Sequence, residues 1–174
     1  MSADTIERAV LDAARIRLET SAAKIVHCLS QIDDSQVWWR PTPNQNSIGN
    51  LILHLCGNVG QWIISGVGGA ADVRDRPSEF SQKNRQPKSE LLTMLHACIE
   101  QSGEALSTTD PSRLLSDCRI QGFDTTMLSA ILDTVSHFQG HTQEIISLTR
   151  QQTGNKYQFH FVPSTPDQIS ARSE

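Results

Sequence analysis

Between Ile48 and Ser65 the chain is apolar on almost every face of a helix but one. Ile48, Leu51, Ile52, Leu55, Val59, Trp62 and Ile63 recur at helical spacing. Asn50, His54, Asn58 and Gln61 follow one another by four, four and three residues, a single stripe down one side. A helix that is apolar almost all round has to be covered by other elements. Its polar stripe then faces inward and has to meet polar groups from a neighbour.

The rest of the chain supplies the neighbours. A first helix is expected from about Asp4 to Gln31, where Ile6, Val10, Ala14, Leu18, Ala22, Ile25 and Leu29 keep a helical period. Pro41 and Pro43 break the following turn. Asn46 or Ser47 can cap the second helix, which runs to about Ser65. A third is expected from near Pro87 to near Ser107. A fourth starts at a cap on Asp124 or Thr125 and runs to about Gln152, before Gly154 and Asn155. The expectation is an all-α fold, a four-helix bundle with long connections between helices 2 and 3 and between helices 3 and 4. Within the second connection, RLLSDCRIQGF suggests a small hairpin. Tyr157, Phe159 and Phe161 alternate with polar residues and suggest a short extended C-terminal segment laid on the bundle. Residues 1–162 are expected to form one domain, and 163–174 a loose tail.

Composition narrows the functional classes. A chain of 174 residues suits one domain, and 37% hydrophobic with 20% charged residues suits a globular one. The net charge of -4 argues against nucleic acid and anionic membrane as partners. No apolar run approaches the roughly 20 residues of a membrane span. The opening MSADTIERAVLDAAR has early acids and no apolar core of a leader, so the cytoplasm is the expected compartment. Cys28, Cys56, Cys98 and Cys118 are widely spaced without a CxxC, and are expected to be small buried hydrophobes.

Helix 4 has a polar seam of its own. His137, His141 and Glu144 lie along one stripe among Ile131, Val135, Phe138 and Ile145. Residues four apart rise about 6 Å along one face, so two imidazoles can converge on one ion. Set against the seam of helix 2, they would meet His54. Three imidazoles with an open fourth position suit a catalytic divalent ion. Zn²⁺, Ni²⁺, Fe²⁺ and Co²⁺ all accept such ligands. A hydrogen-bonded core network built with Asn50, Asn58 and Glu144 is the alternative from spacing alone.

SIGNLILHLCGNVGQWI, DVRDRPSEF and RIQGFDTTMLSAILDTVSHFQGHTQEII together resemble the DinB/YfiT-like superfamily, over residues 4 to 163. A histidine in helix 2 with H-x-x-x-H in helix 4 is that superfamily's metal signature. The resemblance implies a four-helix bundle holding a divalent metal on His54, His137 and His141. It also implies a bacterial protein, a small-molecule substrate and a possible homodimer. Characterised members include thiol S-transferases and a thiol-dependent isomerase, so the implied activity is transfer of a small thiol to an electrophile. A metal-dependent hydrolase and a non-catalytic metal-binding or interaction protein are the alternatives.

Around that implied centre, Glu144 is the candidate to orient a histidine or to act as a base, against an ion pair with Arg150. Asn50 and Asn58 lie one turn either side of His54. Asn50 is a candidate substrate-binding residue, whereas a core hydrogen bond is the plainer role for Asn58. Arg74 or Arg76 could hold an anionic substrate such as a carboxylated thiol, against ion pairs with Asp72, Asp75 and Glu79 within the loop. Trp38 and Trp39 could wall a pocket or simply pack. His27, His96 and His160 lack partners at ligand spacing.

Overall fold

A computed structural model describes residues 5–81 and 85–162. The expected loose tail at 163–174 lies outside the described residues. The protein is mostly helical with one small sheet. Helix α1 spans Ile6–Leu29, and the Thr5 hydroxyl caps it by accepting from Arg8 N. A one-turn helix α2, Asp34–Val37, begins at an Asp33–Gln36 capping box. Helix α3 spans Ile48–Val59 and starts at Ser47, the second of the two expected caps. It continues into a π-helical turn, Gly60–Ser65, where Gly66 N reaches back to Gln61 O. The short helix α4, Arg76–Glu79, lies within the first long connection.

Helix α5 spans Lys88–Thr108 with Pro87 before its first turn. Strands β1, Asp117–Ile120, and β2, Phe123–Thr126, then form the expected hairpin. Ile120 pairs with Phe123, which leaves a two-residue turn of Gln121 and Gly122. Both have positive φ, 53° and 85°, as the tight hairpin turn demands. Helix α6, Met127–Thr153, follows directly. Its cap is Thr126, not Asp124 or Thr125: the strand runs on through Thr126, whose hydroxyl then accepts from Ser129 N.

Helix α1 packs on α5 and α6, and α3 packs on the same two helices. The core between them is aliphatic. Leu11, Leu18, Ile25, Leu51, Leu55, Leu91, Leu95 and Phe138 are all fully buried. The connection helix α4 packs on α3. Cys28 and Cys98 are buried while Cys56 and Cys118 are half-buried, and all four are free thiols. The Cys98 thiol and burial push the Cys56 thiol well above its ordinary range. No helix among the described residues is long and apolar enough to cross a membrane.

A 3-10 turn, Gly154–Lys156, follows α6, and the chain from Tyr157 on pairs with no strand among the described residues. Gln158 N donates to Gln31 Oε1 at 2.7 Å, and His27 Nε2 donates to Gln158 O at 2.7 Å. Tyr157 is half-buried, but Phe159 and Phe161 are 58% and 75% exposed. The alternation therefore does not mark a buried face. Instead the Arg150 guanidinium lies over the Tyr157 and Phe159 rings, at 5.8 and 5.4 Å. Phe138 joins α6 to the core immediately beside His137. Phe138→Ala is expected to lower stability by about 3–5 kcal/mol in urea unfolding. A loss under about 1 kcal/mol would place that helix face outside the core.

Candidate metal centre

His54 leaves α3 near its midpoint, and His137 and His141 leave α6 one turn apart. Packing of α3 against α6 brings the three rings together. Their centroids lie 4.5 to 5.2 Å apart, nearly perpendicular in each pair. One ring nitrogen from each lies within 4.8 Å of the others. Among the described residues, this is the group of histidine, cysteine and carboxylate side chains close enough to share an ion.

The carboxylates decide which nitrogen faces inward. His54 Nδ1–H donates to Glu79 Oε2 at 2.8 Å, so its Nε2 lone pair points at His137 Nε2, 2.9 Å away. His141 Nδ1 meets Glu144 Oε2 at 2.8 Å, which leaves its Nε2 free as well. A carboxylate on the far nitrogen is the usual support of a metal-binding imidazole. Zinc–nitrogen bonds of 2.0–2.1 Å in a tetrahedron separate the nitrogens by about 3.4 Å. The observed separations bracket that value, and the donor set suits a divalent ion of intermediate softness.

Glu79 is the main residue that the sequence did not single out. It sits on α4, is 5% exposed, and binds three partners. Arg74 Nε donates to Glu79 Oε1 at 2.7 Å, and Arg74 Nη2 donates to Glu79 Oε2 at 3.0 Å. Arg74 Nη1 donates to Gln61 Oε1 at 2.9 Å, and Gln61 Nε2 donates to Asp72 Oδ2 at 2.8 Å. The structure thus places Arg74 beneath His54, its side chain 4% exposed, inside an ion pair with Glu79. Gly57 leaves the space for this pair, since a Cβ there would collide with Glu79 Oε1.

Asn50 is wholly buried. Its Oδ1 accepts from Ser47 Oγ at 2.7 Å and Arg40 Nη2 at 2.6 Å, and its Nδ2 donates to the Glu79 carbonyl at 2.9 Å. It completes the cap of α3 and ties α4 to it. Asn58 makes no core hydrogen bond, contrary to the plainer role expected of it: its buried Oδ1 has no partner among the described residues. Glu144 pairs with His141, and Arg150 turns to the aromatic rings of the C-terminal segment. Trp38 is buried and donates Nε1–H to Gln86 O, while Trp39 is 40% exposed. His27 stacks against His160, and His96 is exposed.

His54 and His137 open onto a cleft of about 360 Å³ whose walls include Asn58, Trp62, Arg76, Gln121 and Asp133. Trp62 comes from the π-helical turn, Gln121 from the hairpin turn and Asp133 from α6. A second cavity, of about 490 Å³, lies behind the Arg74–Glu79 pair against Leu53, Ile64 and Met94. It lacks the histidines.

Residues 5–165 match the family described as "Protein of unknown function (DUF1572)", and the chain belongs to it. No curated protein matches.

Burial pulls His137 down from 6.5 to about 4, helped by the nearby His141, His54 and Arg74 charges. Burial lowers His54 too, with Glu79 opposing the shift. Both are depressed in the folded state, so between pH 6.5 and about 4 the unfolded chain binds more protons. Metal-free protein is therefore expected to lose stability as pH falls through that window. His137→Gln should lose less than wild type between pH 7 and pH 4.5 in urea unfolding. Equal losses would show that the surroundings of His137 do not hold it neutral.

Proposed function

We propose that the protein is a metal-dependent enzyme of DinB-like type, and that it transfers a small thiol to an electrophilic substrate. The helices α1, α3, α5 and α6 then form the four-helix bundle that the sequence suggests. The reading rests above all on one observation: one ring nitrogen from each of three histidines converges, His54 and His137 through Nε2, while the Nδ1 atoms of His54 and His141 are held by carboxylates. Neutral imidazoles are the ligating form. The lowered proton affinity of His54 and His137 supports that state at neutral pH.

His54, His137 and His141 would hold the ion, of which Zn²⁺, Ni²⁺, Fe²⁺ and Co²⁺ all suit imidazole. Such an ion supplies a Lewis acid that lowers the pKa of a thiol or water bound to it. The protein's own groups do the positioning. Glu79 fixes the proton of His54 on Nδ1 and directs Nε2 inward. Arg74 holds Glu79 in a two-pronged contact, so the carboxylate cannot swing away. Glu144, whose side chain is 43% exposed, does for His141 what Glu79 does for His54. The cleft beside the histidines is of a size to admit a small substrate. The H-F-x-G-H-x-Q-E-I motif at His137 and His141 supports the metal ligands through its resemblance to the DinB-like superfamily, and thiol transfer follows the activity of that superfamily's characterised members.

Elemental mass spectrometry of untagged protein is expected to find near-stoichiometric divalent metal, and the His54→Ala, His137→Ala double variant to lack it. Glu79→Gln should weaken metal binding roughly 10- to 100-fold. Parent protein that is metal-free and cannot be reloaded would overturn the metal reading. With metal in place, a rate on an electrophile that requires added thiol supports the transferase. A rate in water alone would assign a hydrolase, and no rate with either would leave a metal-binding protein.

A further inference from the structure

Three polar groups on the walls of the histidine cleft have no hydrogen-bond or ion-pair partner among the described residues. The first is Asn58. Its Oδ1 is buried without a donor, one turn from His54 on the same stripe of α3. Buried polar atoms are nearly always hydrogen-bonded in folded proteins, so an exception calls for a reason. The second is Arg76, an exposed side chain whose guanidinium lies over the Phe80 ring at 5.6 Å with no carboxylate opposite it among the described residues. The third is Asp133, an exposed carboxylate one turn before His137 on α6, with no cation opposite it among the described residues. Arg76 and Asp133 line the same cleft without pairing to each other.

A cation, an anion and an amide acceptor around 360 Å³ define a complementary ligand. It carries a carboxylate, an ammonium group and an N–H or O–H donor within a small frame. We propose that the cleft recognises a small zwitterion of amino-acid or dipeptide type. Its carboxylate pairs with Arg76, its ammonium with Asp133, and its donor with Asn58 Oδ1. This inference rests on the proposed function only in setting the ligand's reactive end toward the histidines. Opposite charges at two fixed points give orientation as well as affinity. A site built around an unfilled acceptor also rejects an analogue that lacks the donor.

The test titrates three peptides of one skeleton into the full-length protein, followed by nuclear magnetic resonance. Glycylglycine is the zwitterion, N-acetylglycylglycine keeps only the anion, and glycylglycinamide keeps only the cation. Glycylglycine is expected to bind about fivefold more tightly than either, the effect of one partly exposed charge pair. Arg76→Gln should erase its advantage over the amide, and Asp133→Asn its advantage over the acetylated peptide. Asn58→Leu should weaken all three while leaving Tm unchanged or raised, since it removes an unpaired buried atom. Equal affinities for the three peptides, or preferences that survive the variants, would overturn the inference. So would a fall in Tm on Asn58→Leu without loss of binding, which would mark Asn58 as structural. Metal content of the same samples reports on the histidines separately. Metal-loaded protein that does not discriminate sinks the cleft inference alone, and discriminating protein without metal sinks the metal reading alone.

Discussion

The buried ion pair between Arg74 and Glu79 is the interaction on which the arrangement of the centre depends. Taking two charges out of water costs several kcal/mol per ion, and attraction offsets that only when the geometry is good and the remaining polar atoms are partnered. Here they are. Both Glu79 oxygens accept from Arg74, one of them also accepts from His54, and Arg74 Nη1 is held by Gln61. The Glu79 carbonyl is held by Asn50. This contact pins the first long connection onto α3 and fixes the tautomer of His54. It also explains a local feature of the sequence. Position 57 faces the carboxylate, and only glycine leaves room for it.

The same pair accounts for a difference between two of the histidines. His54 and His137 share a burial-driven loss of proton affinity. For His54 the Glu79 carboxylate opposes the loss. No opposing carboxylate acts on His137, and it falls to about 4. A proton competes with a metal for the same lone pair, so the nitrogen that resists protonation most is also the most available to an ion near neutral pH. The centre therefore contains one imidazole oriented by a buried carboxylate and one kept neutral by its surroundings. The third, His141, is oriented by the half-exposed Glu144.

The histidines were legible in the sequence because helical spacing is a local rule. Once His54 and the His137–His141 pair were placed on apolar helices, only the packing of α3 on α6 was needed to bring them together. The small hairpin was legible for the same reason, although its turn also moved the cap of α6 to Thr126. Glu79 was not legible. It stands 25 residues from His54 in a connection that also carries Asp72, Asp75, Arg74 and Arg76, and nothing local says which carboxylate turns inward. The distinction between Asn50 and Asn58 was partly legible. Ser47 as the cap makes Asn50 the third residue of the helix, where a side chain reaches back to the cap. The π-helical turn left no such trace, since its wider hydrogen bonds do not alter the apolar pattern of Trp62 and Ile63.

The polar stripe of α3 shows how a helix can be buried on nearly all sides and still carry a site. Each polar residue on it has to be satisfied or leave a cost of about 1–3 kcal/mol. Asn50 is satisfied by Ser47, Arg40 and the Glu79 backbone. His54 is satisfied by Glu79 and faces His137. Gln61 is satisfied by Arg74 and Asp72. Among the described residues Asn58 Oδ1 alone is left without a partner, and Asn58 is a cleft-lining position between the two satisfied ends. The network around Glu79 thus uses three positions of the stripe to hold the backbone and one histidine rigid. The fourth stays chemically open where the cleft meets the histidines. A core network that existed only to stabilise the fold would have closed that position too, because an apolar residue there would remove the cost without disturbing the other three.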